Sequence, residues 1–251
     1  TERRRRGVKE GGRKGRRIAQ ATATVDAPPY ITRKVPVYEL ASEELLALVE
    51  ENSEIVLEEI GIDFRDDPQA LQMFQDAGAL VEEERVRFPR GMCREIIQRH
   101  APNEFTQHAR NPDRSVKIGG DHAVFVPAYG PPFVRDLDSG RRYATLEDFE
   151  NFTKLTWMSP SLHHSGGTLC EPVDIPVNKR HLDMIYSHLR WSDKPFMGSV
   201  TAPERAKDTV DMAEVVFGRS FVDSHCVITS LINANSPMTF DATMLGAARV
   251  Y

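Results

Sequence analysis

Apolar residues recur along this chain in two rhythms. In the first third the spacing is helical. Leu45, Val49, Val56 and Ile60 fall on one face of a predicted helix at about 42–60, and Gly61 stops it. Asp67 and Pro68 offer an N-cap and a first-turn proline for a second helix through Ala77, which Gly78 ends. A third helix is predicted from Pro89 to His100, with Pro102 beyond it. The three read as an accessory helical layer, entered through an extended Pro28-Pro29-Tyr30 lead-in.

The middle changes rhythm. Phe105 to Ala109, Val116 to Ile118 and Ala123 to Val126 favour strands. Residues 133–137 and 141–143 flank Asp138-Ser139-Gly140, a hairpin signal. Thr145-Leu146-Glu147-Asp148 matches a capping box that opens a helix to about Trp157. From residue 160 onward strand and helix alternate. Strands are predicted near 163–169, 195–200 and 222–231, and helices over 178–191, 203–217 and 240–251. Thr201 and Pro203 mark a further helix start.

That alternation implies parallel βαβ units, in a doubly wound sheet or a (β/α)8 barrel. A whole barrel takes about 250 residues, whereas the region after 160 holds three βα units. The helix ending at Tyr251 carries no stop signal. The expectation is therefore the N-terminal part of a longer α/β protein. Its parts are an arm (1–27), a helical extension (28–103), a small antiparallel strand region (104–144) and a partial (β/α)8 TIM barrel (145–251).

Composition narrows the class. With 251 residues, 40% of them hydrophobic, the chain can build one sizeable core or two small domains. No apolar run is long enough to span a membrane, and none follows the basic N-terminus as a secretory signal would. Cys93, Cys170 and Cys226 are scattered and odd in number, which fits a reducing cytoplasm. Net charge is −5, but residues 1–17 hold nine Lys or Arg against two Glu, a net +7, which leaves −12 elsewhere. Such an arm binds nucleic acid or an acidic partner, or else is simply solvated and disordered. The second reading is preferred, because the body has no other concentrated basic face, so no nucleic-acid partner is expected.

Familiar catalytic signatures are missing from the sequence. His163-His164 and His225-Cys226 are adjacent pairs whose members point apart on a strand, so no directly bound metal is expected. There is no GxGxxG, no P-loop and no GxSxG. Cys170 reads as a small strand-end residue. Chemistry is better sought where strands end. Those ends supply Glu171, Thr201 and the run Asn233-Ala234-Asn235-Ser236-Pro237. Asn233, Asn235 and Ser236 are candidates to line a pocket for a small polar ligand. Glu171 offsets a cation, and Tyr129, Phe133 or Trp157 offers an aromatic face for one. The alternative is that the Asn-Ser-Pro run only builds a turn and caps a helix.

Several segments in order resemble one family. They are Ile60-Gly61-Ile62-Asp63-Phe64, Asp76-Ala77-Gly78-Ala79, Arg85-Val86-Arg87-Phe88-Pro89 and 127–137 (PAYGPPFVRDL). Residues 174–181 (DIPVNKRH), 194–198 (KPFMG) and 233–237 (NANSP) complete the set. Together they resemble the trimethylamine methyltransferase (MttB) family over most of 30–251. The resemblance implies a (β/α)8 barrel with an N-terminal helical extension. It implies methyl transfer from a methylated amine, trimethylamine or a quaternary amine such as glycine betaine, to the cobalt of a corrinoid (cobalamin) on a partner protein. It leaves a homo-oligomer open and assigns no catalytic residue in this segment. Two other classes stay open: an incomplete barrel fragment that only binds, and a nucleic-acid-associated protein using its basic arm.

Overall fold

The computed structural model describes residues 27–251, so the expectation of a disordered arm lies outside the described residues except at Ala27. After a short strand β1 (Ile31–Thr32), helix α1 (Glu43–Glu59) starts where the Ser42 hydroxyl accepts from the Leu45 amide. Gly61 then turns the chain with φ +77°. A Cβ there would run into the Val86 carbonyl, so a glycine is needed for this close approach. Strand β2 (Ile62–Arg65) leads to α2 (Pro68–Asp76), where Asp67 caps the Ala70 amide and Pro68 opens the first turn. Strands β3 (Leu80–Glu82) and β4 (Arg85–Arg87) and helix α3 (Met92–His100) follow.

The predicted helices are present, but the extension is not purely helical. Strands β2, β4 and β3 pair antiparallel between them. They were illegible because each is three or four residues long and rich in Asp, Glu and Arg. Phe64, Val86 and Phe88 are nevertheless buried, with Phe74 packed against them.

The middle region forms antiparallel strands as expected, except that residues 124–126 are in no strand. The strands are β5 (Glu104–Gln107), β6 (Val116–Gly119) and β7 (His122–Ala123), in a sheet ordered β1-β7-β6-β5. The hairpin β8 (Phe133–Asp136) and β9 (Gly140–Tyr143) follows. Helix α4 (Leu146–Met158) opens with the predicted capping box, Thr145 and Asp148 each bonding the other's backbone amide.

The last third alternates as read, with shorter strands. It contains α5 (Arg180–Trp191), β10 (Phe196–Met197), α6 (Pro203–Phe217), α7 (Arg219–Val222), β11 (Ile228–Thr229), β12 (Thr239–Asp241) and α8 (Ala242–Val250). β10 and β11 are parallel, as strand–helix alternation requires. Three expectations are corrected. Residues 163–169 form no regular strand, because Gly166 (φ +89°) bends the chain. The segment still lies along β10 through Ser165 N–H to Pro195 O (2.8 Å) and Met197 N–H to Gly166 O (2.8 Å). The start of the predicted 222–231 strand is helix α7 and a turn, where Phe221 stacks on His225 at 4.0 Å. The final helix begins at Ala242, because Thr239–Asp241 is drawn into a parallel pairing with β2. The architecture is mixed α/β with several small sheets and no closed barrel among the described residues.

One side chain joins these sheets. Gln107, at the end of β5, is wholly buried. Its Nε2 donates to Phe196 O (2.9 Å) and Val227 O (3.2 Å). Its Oε1 accepts from His164 Nε2 (3.1 Å) and from the Thr229 hydroxyl (3.2 Å). All four amide positions are thus used. Gln107→Leu in the full-length protein strands two buried carbonyls and two donors. At roughly 1–3 kcal/mol per unsatisfied group, the expected loss of unfolding free energy is at least about 3 kcal/mol. Urea unfolding checks this, and a loss below about 1 kcal/mol would contradict the role given to Gln107.

Candidate functional site

A cavity of about 220 Å³ opens where the loop after residue 166 meets the loop after β10 and the first turns of α5. Tyr129, Glu171, Thr201, Arg180 and Arg205 are among its lining residues. Tyr129 is placed by two backbone bonds, Gly130 N–H to Thr168 O (2.7 Å) and Glu171 N–H to Pro131 O (3.1 Å). Its ring lies on Gly167, where a Cβ would overlap both the ring and Met197. Glycine here lets the aromatic ring come close to the rim backbone.

Two lining residues are cationic. Arg205, in the first turn of α6, donates to the Thr201 hydroxyl at 2.9 Å. Arg180 opens α5, and its Nε is buried without a hydrogen-bond partner. Neither arginine joins an ion pair among the described residues. His181 also lines the cavity and meets Asp208 of α6 at 2.7 Å, joining the two helices.

His188, also in the lining, is buried. Its Nε2 faces Gly167 O (2.8 Å), so that nitrogen carries the proton, and Nδ1 accepts from the Ser165 hydroxyl (2.7 Å). Burial pushes its pKa down to about 4, so the ring is neutral at physiological pH. His164 is likewise pushed down by burial, to about 3. Cys170 is buried in the core with its thiol pushed up to about 12, which fits the small-residue reading rather than a nucleophile.

Of the residues singled out from sequence, the structure gathers Tyr129, Glu171 and Thr201 at this cavity. Asn233, Asn235 and Ser236 are not among its lining residues. They lie in an exposed turn: Asn235 exchanges backbone bonds with Thr239 (2.6 and 2.9 Å), and its amide donates to Asp241 at 3.2 Å. Because the β11 ladder ends at Thr229, this run leaves the rim and enters β12. The geometry at Asn235 is that of the turn alternative. Sequence reasoning missed Arg180, His181, His188 and Arg205. The two histidines had a signal in the stripe His181, Met184, Ile185 and His188 on α5, at helical spacing, in which two polar rings share a face with apolar residues.

One small cavity thus brings a carboxylate, an aromatic ring and two arginines together in its lining. The profile of the family described as trimethylamine methyltransferase (MTTB) matches residues 9–251. The chain belongs to the trimethylamine methyltransferase family. It is 46% identical over 218 residues to a glycine betaine methyltransferase of Desulfitobacterium hafniense (strain Y51). That alignment covers 86% of this chain and 45% of the relative, so the chain spans about half the relative's length.

Burial of two neutral histidines makes this family member acid-sensitive. Unfolded histidine titrates near 6.5, and the folded values of His188 and His164 are about 4 and 3. Between those limits the unfolded chain binds protons that the folded chain does not. Stability is therefore full above about pH 6.5 and falls with pH, by a few kcal/mol. Urea midpoints of the full-length protein at pH 7 and pH 4.5 measure it. Equal midpoints would refute the neutral buried pair.

Proposed function

We propose that this chain contributes the amine-binding side of an enzyme that moves a methyl group from a methylated amine to the cobalt of a corrinoid carried by a partner protein. We further propose that its three βα units, with strand segments at 163–166, β10 and β11, belong to a (β/α)8 barrel. The parallel β10–β11 pair and the bonds from 165–166 to β10 support that architecture. No described helix is long and apolar enough to cross a membrane, and all three cysteines are free, which accords with a cytoplasmic setting.

The observation that carries the functional reading is that a carboxylate, an aromatic ring and two arginines line one small cavity. Glu171 and the Tyr129 ring suit a quaternary ammonium, which has no N–H to donate and binds through charge and aromatic faces. Arg180 and Arg205 suit a carboxylate at the other end of the ligand. The substrate favoured is thus a small zwitterion of the glycine betaine kind, which agrees with the name of the relative. The cavity is large enough for such an amine and far too small for a corrin ring, so the corrinoid fits as a group presented from outside over the open rim.

When bound, the corrinoid supplies a reduced cobalt nucleophile that takes the methyl group in line, and the amine leaves neutral. The residues of this chain hold the ammonium so that one methyl faces outward, and they exclude water from the opposite side. His188, neutral and doubly bonded, fixes Gly167 and so the platform under Tyr129. No proton needs to move, which suits a floor that stays uncharged at neutral pH.

In the full-length protein, Arg205→Gln should raise KM for glycine betaine about tenfold or more, the worth of about 1.4 kcal/mol. It should leave KM for trimethylamine, which has no carboxylate, nearly unchanged. Glu171→Gln should raise both. Amine-dependent loss of the cob(I)alamin absorbance reports turnover. Equal effects of Arg205→Gln on both amines would remove the carboxylate assignment. Betaine binding without turnover in the wild type would instead favour a binding module.

A further inference from the structure

The β8–β9 hairpin shows an arrangement that folding alone disfavours. Its register sets Arg135 directly opposite Arg141. Like charges facing across a strand pair are destabilising. Val134, on the other face, is buried in the core with Phe149 and Leu169, so Phe133, Arg135, Arg141 and Tyr143 share the outward face. On the inner face Arg142 is matched by Asp136 and Asp148. On the outer face neither Arg135 nor Arg141 joins an ion pair among the described residues. Arg141 lies over the Phe133 ring at 3.8 Å, which fixes one guanidinium without neutralising it. Tyr143 is 58% exposed, and Leu137 at the tip is fully exposed.

The root of this hairpin stands beside the cavity. It is bonded to the loop carrying Glu171, through Glu171 N–H to Pro131 O (3.1 Å) and Val173 N–H to Ala144 O (3.0 Å). From that root a four-residue strand projects about 13 Å. Two unneutralised arginines, a tyrosine and an apolar tip are the residue types that anchor protein interfaces. They stand on a body whose charge outside residues 1–17 is −12, so the positive face is local and directional.

We infer that the outward face of this hairpin docks the corrinoid-carrying partner, by receiving an acidic surface of that protein beside the cavity mouth. The inference rests on the function proposed above. Acidic residues on the partner relieve the Arg135–Arg141 repulsion, and Leu137 and Tyr143 supply the dry centre of the contact. The charge complementarity also sets the orientation in which the partner's cofactor meets the rim.

The test uses the full-length protein with the double substitution Arg135→Glu and Arg141→Glu, neither residue lining the cavity. Betaine-dependent methyl transfer is measured to two acceptors: free cob(I)alamin, and a purified corrinoid protein encoded in the same genome. The expected result is a 10- to 100-fold fall in kcat/KM for the corrinoid protein and a weaker salt dependence. The rate with free cob(I)alamin should stay within twofold of wild type. A wild type inert toward free cob(I)alamin would defeat the proposed function itself. Given an active wild type, an unchanged rate with the corrinoid protein overturns the docking surface. So does an equal fall with both acceptors, which would mean that the hairpin acts on the cavity. A change in oligomeric state by light scattering would assign the face to a second copy of the chain and also overturn the inference.

Discussion

The wholly buried amide of Gln107 is the contact on which the rest of the α/β region depends. β10 and β11 share a ladder only two residues long, too little to hold by itself. Gln107 reaches across both from β5, bonding the carbonyls of Phe196 and Val227. Its own carbonyl is closed by Thr229 and His164. His164 in turn accepts from the Gly166 amide at 2.9 Å. The bend at Gly166 and the platform at Gly167 are thus tied to the same amide. A polar network inside a core is tolerable only when each member is satisfied. Here burial keeps the two histidines neutral, and every ring nitrogen has a partner.

A second buried polar group fixes the approach to that bend. The Lys194 ammonium donates to Thr156 O (2.8 Å), Ser159 O (2.9 Å) and Leu162 O (2.6 Å). These include carbonyls at the end of α4, where a helix leaves acceptors unpaired and favours a cation. Burial pushes the lysine down to about 8, which leaves it charged at neutral pH. Lys194 directly precedes the Pro195 carbonyl that receives Ser165. One residue therefore ends α4, aims the 163–166 segment and starts β10.

What could be read from the sequence was local. The Asp67 and Thr145 starts rest on bonds within three residues, and the structure has each of them. The hairpin was legible for the same reason, since Asp136 accepts from the Asp138 and Ser139 amides within the turn itself. What escaped was set at a distance. Strands β2, β3 and β4 are short and charged, and become strands because Phe64 and Val86 meet a core built partly by Phe240. The cavity divided in the same way. Tyr129, Glu171 and Thr201 follow strand-like segments and could be found by that rule. Arg180, His181, His188 and Arg205 sit on helices, and only packing turns them toward the cavity.

The same distinction explains why the Asn-Ala-Asn-Ser-Pro run is elsewhere. A strand end is a rim position only if the chain turns straight into the next helix. After β11 it crosses to the N-terminal unit, where β12 pairs parallel with β2 and Phe240 stacks on Phe64 at 5.6 Å. Asp241 then caps α8. Arg249, in the last turn of that helix, bonds the buried Asp67 at 2.8 Å. Asp67 already caps α2 through the Ala70 amide. One carboxylate thus closes the start of α2 and receives the arginine of α8. Truncating either partner would leave the other charge partly buried and unmatched, which costs more than an exposed ion pair. The N-terminal unit is therefore joined to the last βα unit through β12 and α8. Its position fixes where α8 lies, and through the Tyr251 hydroxyl's 2.7 Å bond to Ser199 O it reaches a residue lining the cavity.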